Sequence, residues 1–159
     1  MNVDFNQFTE NSRQAITCAH RIARQCSYAS LEPAVLVVAI MQTDRDMVPF
    51  LLEQMNIEKV PFFTALSDAM QQLPHNGSAD GAITFSPATE QVLTTAQRLA
   101  QRSGSQVVAL EHIFWALYEV PGPVKEVMKR FGVTSAKLES AVTTFRNGNI
   151  SNPTAGGAS

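Results

Sequence analysis

The chain contains no glycine followed by lysine. That excludes the G-x-x-x-x-G-K-[ST] loop that cradles nucleotide phosphates. G-x-G-x-x-G and G-x-S-x-G are missing too, which removes the common dinucleotide and serine-hydrolase signatures. Cysteine is scarce. Cys18 and Cys26 are the only two, eight residues apart in one predicted helix. That spacing is roughly 12 Å along the axis, too far for a disulfide. Neither lies in C-x-x-C or at ligand spacing from a histidine, so both read as small hydrophobes and no zinc site is expected. Charge of either sign is low: 12 Lys and Arg against 14 Asp and Glu, a net of −2. A nucleic-acid footprint is therefore not expected. No apolar run approaches the roughly 20 residues of a membrane span. The opening Met1-Asn2-Val3-Asp4-Phe5-Asn6 has no basic stretch ahead of an apolar one, so it is not a signal peptide and a cytoplasmic protein is expected. His20, His75 and His112 each stand without a second ligand or an acid at triad spacing. No catalytic residue, metal or cofactor is expected in the chain.

What is present is one pattern written twice. Phe8-Thr9-Glu10-Asn11-Ser12 returns as Phe85-Ser86-Pro87-Ala88-Thr89, an offset of 85 − 8 = 77. Ala15, Ile16, Ala19, Ile22 and Ala23 return as Val92, Leu93, Ala96, Leu99 and Ala100 at the same offset. Leu36, Ala39 and Ile40 map onto Ile113, Ala116 and Leu117. After one deletion the offset is 76: Met55 onto Phe131, Ile57 onto Val133, Phe62 onto Leu138, Leu66 onto Val142. A fixed-period echo marks a duplicated structural unit. Two copies suggest one domain of 159 residues with a pseudo-two-fold axis and a seam between halves. A chain of this size buries roughly 70% of its unfolded surface and needs no covalent staple.

Residues 10–25 carry the i, i+3, i+4, i+7 spacing of an amphipathic helix, with Thr9 as N-cap. In the second copy Ser86 caps and Pro87 takes the first helical position. Pro33 opens a short, almost wholly apolar segment, Ala34–Ile40. Its β-branched run could be a strand, but the counterpart Glu111–Leu117 is a better helix former and decides for helix. Segments apolar on most faces belong at the centre; Phe114 and Trp115 read as core. Further helices are predicted at 48–55, 60–72, 124–131 and 135–145, the last capped by Thr134 or Ser135. The expected organisation is all-α: repeat one at 8–72, a turn-rich connector at 73–84, repeat two at 85–145. Together they make an eight-helix domain over 1–148. Residues 149–159 read as a flexible linker leading to something longer. Glu32 and Glu111 lie at helix starts, where the dipole favours a carboxylate.

The doubled Phe-Thr-x-x-Ser start, Leu110-Glu111-His112-Ile113 and the connector beginning Leu73-Pro74 together resemble the N-terminal domain of the Clp ATPases. The long connector is most similar to that of the ClpB disaggregase. The resemblance implies a binding domain above a hexameric ring, with ATP handled by ATPase modules of the same parent chain. It implies unfolded or aggregated protein clients, or an adaptor, as partners, and a domain that is itself monomeric. It also implies a surface groove between the repeats, with peptide-binding positions at Thr9, Leu93, Thr95, Glu111 and His112. Thr95 and His112 stand where apolar residues are common in the family, and the helical period of Leu93 with Ala96 and Ala100 also fits a core position. Secretion-associated Clp ATPases that grip a sheath-protein helix, and ClpC-type adaptor docking, are related alternatives. The isolated chain is expected to show neither ATP hydrolysis nor a rise in melting temperature on adding nucleotide, measured by phosphate release and thermal shift.

Overall fold

The computed structural model describes residues 3–77 and 81–150, and the backbone alone of the last two. After a 3₁₀ turn at Phe5–Gln7 come α1 (Glu10–Gln25), β1 (Ser30–Leu31), α2 (Pro33–Thr43), α3 (Met47–Gln54) and α4 (Lys59–Gln71). The second half follows as β2 (Thr84–Phe85), α5 (Pro87–Arg102), α6 (Leu110–Glu119), α7 (Pro123–Arg130) and α8 (Ser135–Ile150). The fold is all-α, and its element boundaries repeat the sequence offsets. Helix α5 begins and ends 77 residues after α1 (87 − 10 and 102 − 25). Helix α6 begins 77 after α2 (110 − 33) and ends 76 after it (119 − 43). The single deletion therefore falls within the central helix.

Local geometry is copied along with the helices. Thr9 and Ser86 are in extended conformation, and their hydroxyls accept from the amides of Ser12 and Thr89 at 3.2 and 3.1 Å. Each capping hydroxyl satisfies a donor that the first helical turn leaves open. Thr134 caps α8 in the same way through the amide of Lys137 at 3.2 Å. The turns that end α1 and α3 need a left-handed residue, Ser27 and Asn56, at φ of 57° and 58°. Their counterparts are Gly104 and Gly132, where the conformation is free of steric cost.

The central helices are buried on every side. All of Ala34–Met41 and Leu110–Tyr118 are inaccessible, so the β-branched segment 34–40 is helical because tertiary burial outweighs its strand preference. Phe62 of α4 packs edge-on against Phe131 and lies 6.5 Å from Phe114, which ties the first repeat to the second.

Two short parallel pairings hold the halves together, and both cross the seam. β1 pairs with β2, Ser30 opposite Thr84 and Leu31 opposite Phe85. At the related place Phe8 bridges Val108. The hydrogen bonds match: the Ser86 amide donates to the Leu31 carbonyl at 3.1 Å and the Thr9 amide to the Val108 carbonyl at 3.0 Å. The hydroxyls of Thr89 and Ser12 donate to those same two carbonyls at 2.7 and 3.2 Å. The start of each repeat is thus paired with the middle of the other. Two-residue strands have no periodicity to read, and the sequence gives no sign of them.

The connector folds back on the end of α1. The Gly77 amide donates to the Ser27 carbonyl at 2.8 Å, and His75 Nδ1 donates to the Cys26 carbonyl at 2.7 Å. A Cβ at Gly77 would collide with the Tyr28 carbonyl. Cys18 and Cys26 are free thiols, as their spacing requires. Helix α8 runs to Ile150 rather than stopping at Phe145, so residues 149–150 are helix and not linker. The remainder of the expected linker, 151–159, lies outside the described residues. Among the described residues no helix is long and apolar enough to cross a membrane.

Replacing Thr89 by Val, or Ser12 by Ala, leaves the cap and removes one buried hydroxyl from the seam. Each is expected to lower unfolding free energy by about 1–2 kcal/mol, read from urea denaturation followed by circular dichroism.

Candidate functional site

The five positions expected to form an exposed groove are all buried. Thr9 is 5% exposed, Leu93 0%, Thr95 5%, Glu111 1% and His112 0%. The physical reason differs at each. The Thr9 hydroxyl caps α1 and donates to Ser12 Oγ at 2.9 Å, feeding the seam pairing to Val108. Leu93 lies on the buried face of α5 with Ala96 and Ala100, so the core reading of its period is the correct one. Thr95 accepts from Arg98 Nη2 at 3.1 Å. Two residues apart on a helix, Leu93 and Thr95 point about 200° from one another and cannot line one wall. The structure does bring the starts of α1 and α6 together, through the Phe8–Val108 bridge. They meet as scaffold, beneath the surface.

Glu111 and His112 form the polar heart of this scaffold. Arg146 Nη1 of α8 reaches Glu111 Oε2 at 2.6 Å, with the carboxylate side chain only 2% exposed. Glu111 Oε1 is buried without a hydrogen-bond partner among the described residues. Burial pushes the Glu111 carboxyl upward, opposed by its backbone hydrogen bond and by Arg146. His112 Nδ1 accepts from the Ala109 amide at 3.0 Å and so caps α6 from inside. Its ring therefore carries the proton on Nε2. Burial, aided by Arg146, pushes the imidazole down to about 3, so it is neutral at physiological pH.

The open site lies elsewhere on the seam. A largely apolar cleft of about 80 Å³ is bounded by the start of α2, the end of α4, the start of α5, the end of α6 and the start of α7. Ala34, Ala69, Leu73, Ala88, Val92 and Val124 form its walls, and Pro121–Pro123 one edge. Glu32, held by a hydrogen bond from Ser30 Oγ at 2.9 Å, is its one ionisable side chain among the described residues.

The pseudo-two-fold axis gives this cleft a twin, and the twin has different contents. Ala88, Pro121 and Gly122 correspond to Asn11, Arg45 and Asp46, which line a polar depression with Thr43, Asp44 and Leu110. Ala34 corresponds to Glu111 (34 + 77) and Ala69 to Phe145 (69 + 76). Phe145 is 9% exposed, and its ring lies 5.5 Å from Phe50 of α3. A buried ring therefore stands where the first repeat has only the Ala69 methyl group. Asp44, equivalent to Val120, accepts from the amides of Met47 and Val48 at 3.1 and 2.7 Å, which fixes the rim of the twin to α3. One copy of the cleft is apolar and narrow; the other is a wider, polar and charged depression. Sequence reasoning missed the apolar one. Its signal was small residues at 34, 69 and 88 opposite larger ones at the repeat offset.

Comparison with known proteins agrees with this architecture. Residues 7–131 and 84–154 match the family model for the Clp repeat (R) N-terminal domain. The chain is 30% identical over 146 residues to a protein named chaperone protein ClpB from Porphyromonas gingivalis, and 32% identical over 145 residues to one from Propionibacterium freudenreichii. These alignments cover 92% and 91% of the chain. The chain spans 17% of the length of either relative. Among solved structures, the Hsp104 N-terminal domain from Candida albicans is similar in fold, with a TM-score of 0.77 at 24% identity over 88% of this chain and 91% of that one. A ClpV N-domain in complex with a VipB peptide shares the fold at a TM-score of 0.71 and 13% identity, over 87% and 89% of the two chains.

The depressed pKa of His112 makes an acid limb of stability. Unfolded, the imidazole takes a proton near pH 6.5; folded, it takes one only near 3. Its contribution is complete above pH 6.5 and is lost as pH falls toward 3, by about 1.4 kcal/mol per pH unit within that window. Glu111 and Asp44, both raised by burial, act with the opposite sign, their stability being lost as pH rises through their folded pKa values. His112→Gln keeps an acceptor for the Ala109 amide. It is expected to flatten the fall in urea midpoint between pH 6.5 and pH 4.5.

Proposed function

The chain belongs to the Clp repeat (R) N-terminal domain family, and from that premise we propose that it is the client- or adaptor-binding module of a ClpB-like ATPase. The parent would act in the cytoplasm as a hexamer. Its ATP-hydrolysing parts would lie in the roughly five-sixths of such a parent's length that this chain does not span, in line with the 17% share of the named relatives. The observation that carries the reading is the open apolar cleft at the seam. An apolar, part-enclosed site with one charged group at its edge suits exposed hydrophobic side chains of a protein partner. A cleft with room for one large side chain gives weak binding, which suits a module that must release many clients.

In this reading Thr9 holds the seam, Glu111 and His112 brace the second repeat, Leu93 and Thr95 are buried in α5, and the cleft at Ala34, Ala69, Leu73 and Ala88 makes contact. The reading is tested by binding of a permanently unfolded model protein, followed by fluorescence anisotropy. Leu73→Glu and Ala88→Glu each place a charge in the cleft and are expected to weaken binding by about tenfold with little change in melting temperature. Leu93→Glu buries a carboxylate in the core and is expected to lose its helical circular dichroism signal. Full-affinity binding by the two folded cleft variants would refute the assignment.

A further inference from the structure

The first helix of each repeat ends in the same turn, but only one of the two turns is covered. The Tyr28 amide donates to the Ala23 carbonyl and the Ser105 amide to the Ala100 carbonyl, both at 2.9 Å. Each bond closes its helix around a left-handed residue, Ser27 or Gly104. The last carbonyls of the turn are Cys26 and Ser27 in the first repeat, Ser103 and Gly104 in the second. In the first repeat the connector takes both: His75 Nδ1 donates to the Cys26 carbonyl at 2.7 Å and the Gly77 amide to the Ser27 carbonyl at 2.8 Å. The His75 ring also lies 5.1 Å from that of Tyr28. In the second repeat the carbonyls of Ser103 and Gly104 accept no hydrogen bond among the described residues. A groove of about 430 Å³ lies there instead. The neutral amides of Gln7, Gln97, Gln101 and Gln106 line it with Gly104 and Ser105, and none of its lining residues is ionisable. Ser105 stands where the first repeat has Tyr28 (28 + 77), a hydroxymethyl group in place of a ring.

We propose that this groove binds a short extended segment of a partner protein that carries a histidine, or another side-chain N–H donor, two residues ahead of a glycine. The side chain donates to the Ser103 carbonyl and the glycine amide to the Gly104 carbonyl, as His75 and Gly77 do on the first repeat. The requirement for glycine is steric. A Cβ at Gly77 would collide with the Tyr28 carbonyl, and the second turn, built on the same hydrogen bonds, demands the same close approach. The requirement for donors is electrostatic, because the carbonyl end of α5 is the negative end of its dipole. Glutamine carries donors and an acceptor together, so the four amides serve the peptide groups beside the glycine whatever their side chains. The groove shares no lining residue with the apolar cleft. This inference therefore goes beyond the cleft reading and does not rest on it.

The test titrates the isotope-labelled chain with a synthetic peptide of the connector sequence, Leu-Pro-His-Asn-Gly-Ser, and follows backbone and side-chain amides by nuclear magnetic resonance. Shifts are expected at Ser103–Gln106 and at the side-chain amides of Gln97 and Gln101. A peptide with Gly77→Ala is expected to bind about tenfold more weakly, since the added methyl group meets backbone. A peptide with His75→Ala is expected to lose about threefold, the worth of one hydrogen bond. Gln106→Trp in the chain, at an exposed position of the groove, fills it and is expected to weaken binding about tenfold. If Gln106→Trp lowers the melting temperature, Gln101→Trp, also exposed, gives the same reading. Equal binding of the glycine and alanine peptides overturns the proposal, as does full-affinity binding by the folded tryptophan variants. Shifts confined to Cys26–Tyr28 also overturn it, because the peptide then only displaces the connector. Shifts at Ala69, Leu73 and Ala88 would assign the peptide to the apolar cleft and overturn this site while leaving the cleft reading intact.

Discussion

The exchange of strand starts between the repeats is the constraint on which the rest depends. The amides of Thr9 and Ser86 each donate to a carbonyl of the opposite repeat, Val108 and Leu31, and the hydroxyls of Ser12 and Thr89 donate to the same two oxygens. Those hydroxyls also sit beside the capping hydroxyls of Thr9 and Ser86. A helix start, a strand pairing and the contact between halves are therefore one hydrogen-bonded unit, made twice. A repeat alone would lose the protein partner of its bridging carbonyl, Leu31 or Val108, and of its N-cap amide, Thr9 or Ser86; each such bond contributes about 0.5–1.5 kcal/mol. The two halves are thereby coupled, and backbone bonds help to set the register and orientation of the seam.

With the backbone so constrained, the two halves differ mainly in their side chains. The central helix of the second repeat acquired Glu111 and His112 where the first has Ala34 and Val35. The last helix acquired Phe145 and Arg146 where the fourth has Ala69 and Met70. A buried ion pair such as Glu111–Arg146 is poor evidence for added stability, because desolvation offsets most of the attraction. Its effect here is directional. It fastens the C-terminal end of α8 to the central helix, while the corresponding end of α4 is free to border a cleft.

Most of the architecture was legible in the sequence because the duplication checked every assignment. The segment 34–40 alone is ambiguous between helix and strand; its copy at 111–117 decided the matter. Thr9 and Ser86 as caps and Pro33 and Pro87 as helix starts agree with the structure for the same reason. The parallel pairings were not legible: two-residue strands carry no period, and their partners lie far apart in the chain. The site was the weakest part. The resemblance pointed to Thr9, Glu111 and His112, which are buried: Thr9 is spent on the seam pairing, Glu111 and His112 on bracing the second repeat. Leu93 was ambiguous in sequence, since an apolar residue on a helix face serves a core and a groove alike. The open cleft is defined by what is small, and alanines at 34, 69 and 88 stand out only when the two halves are compared position by position.

The crossing of the seam also has a consequence in time. Phe8 is made early by the ribosome, yet its pairing partner Val108 follows 100 residues later (108 − 8). At typical bacterial and eukaryotic synthesis rates that is a delay of about 5–20 s. During this interval α1 can form, but the strand start at its head has no mate, and the apolar α2 has no second central helix to cover it. The reciprocal pairing, Leu31 with Phe85, closes first, after 54 residues (85 − 31). Assembly on the ribosome therefore has a built-in order: the second repeat docks its own start onto the first, and only then does the first repeat's start find its place.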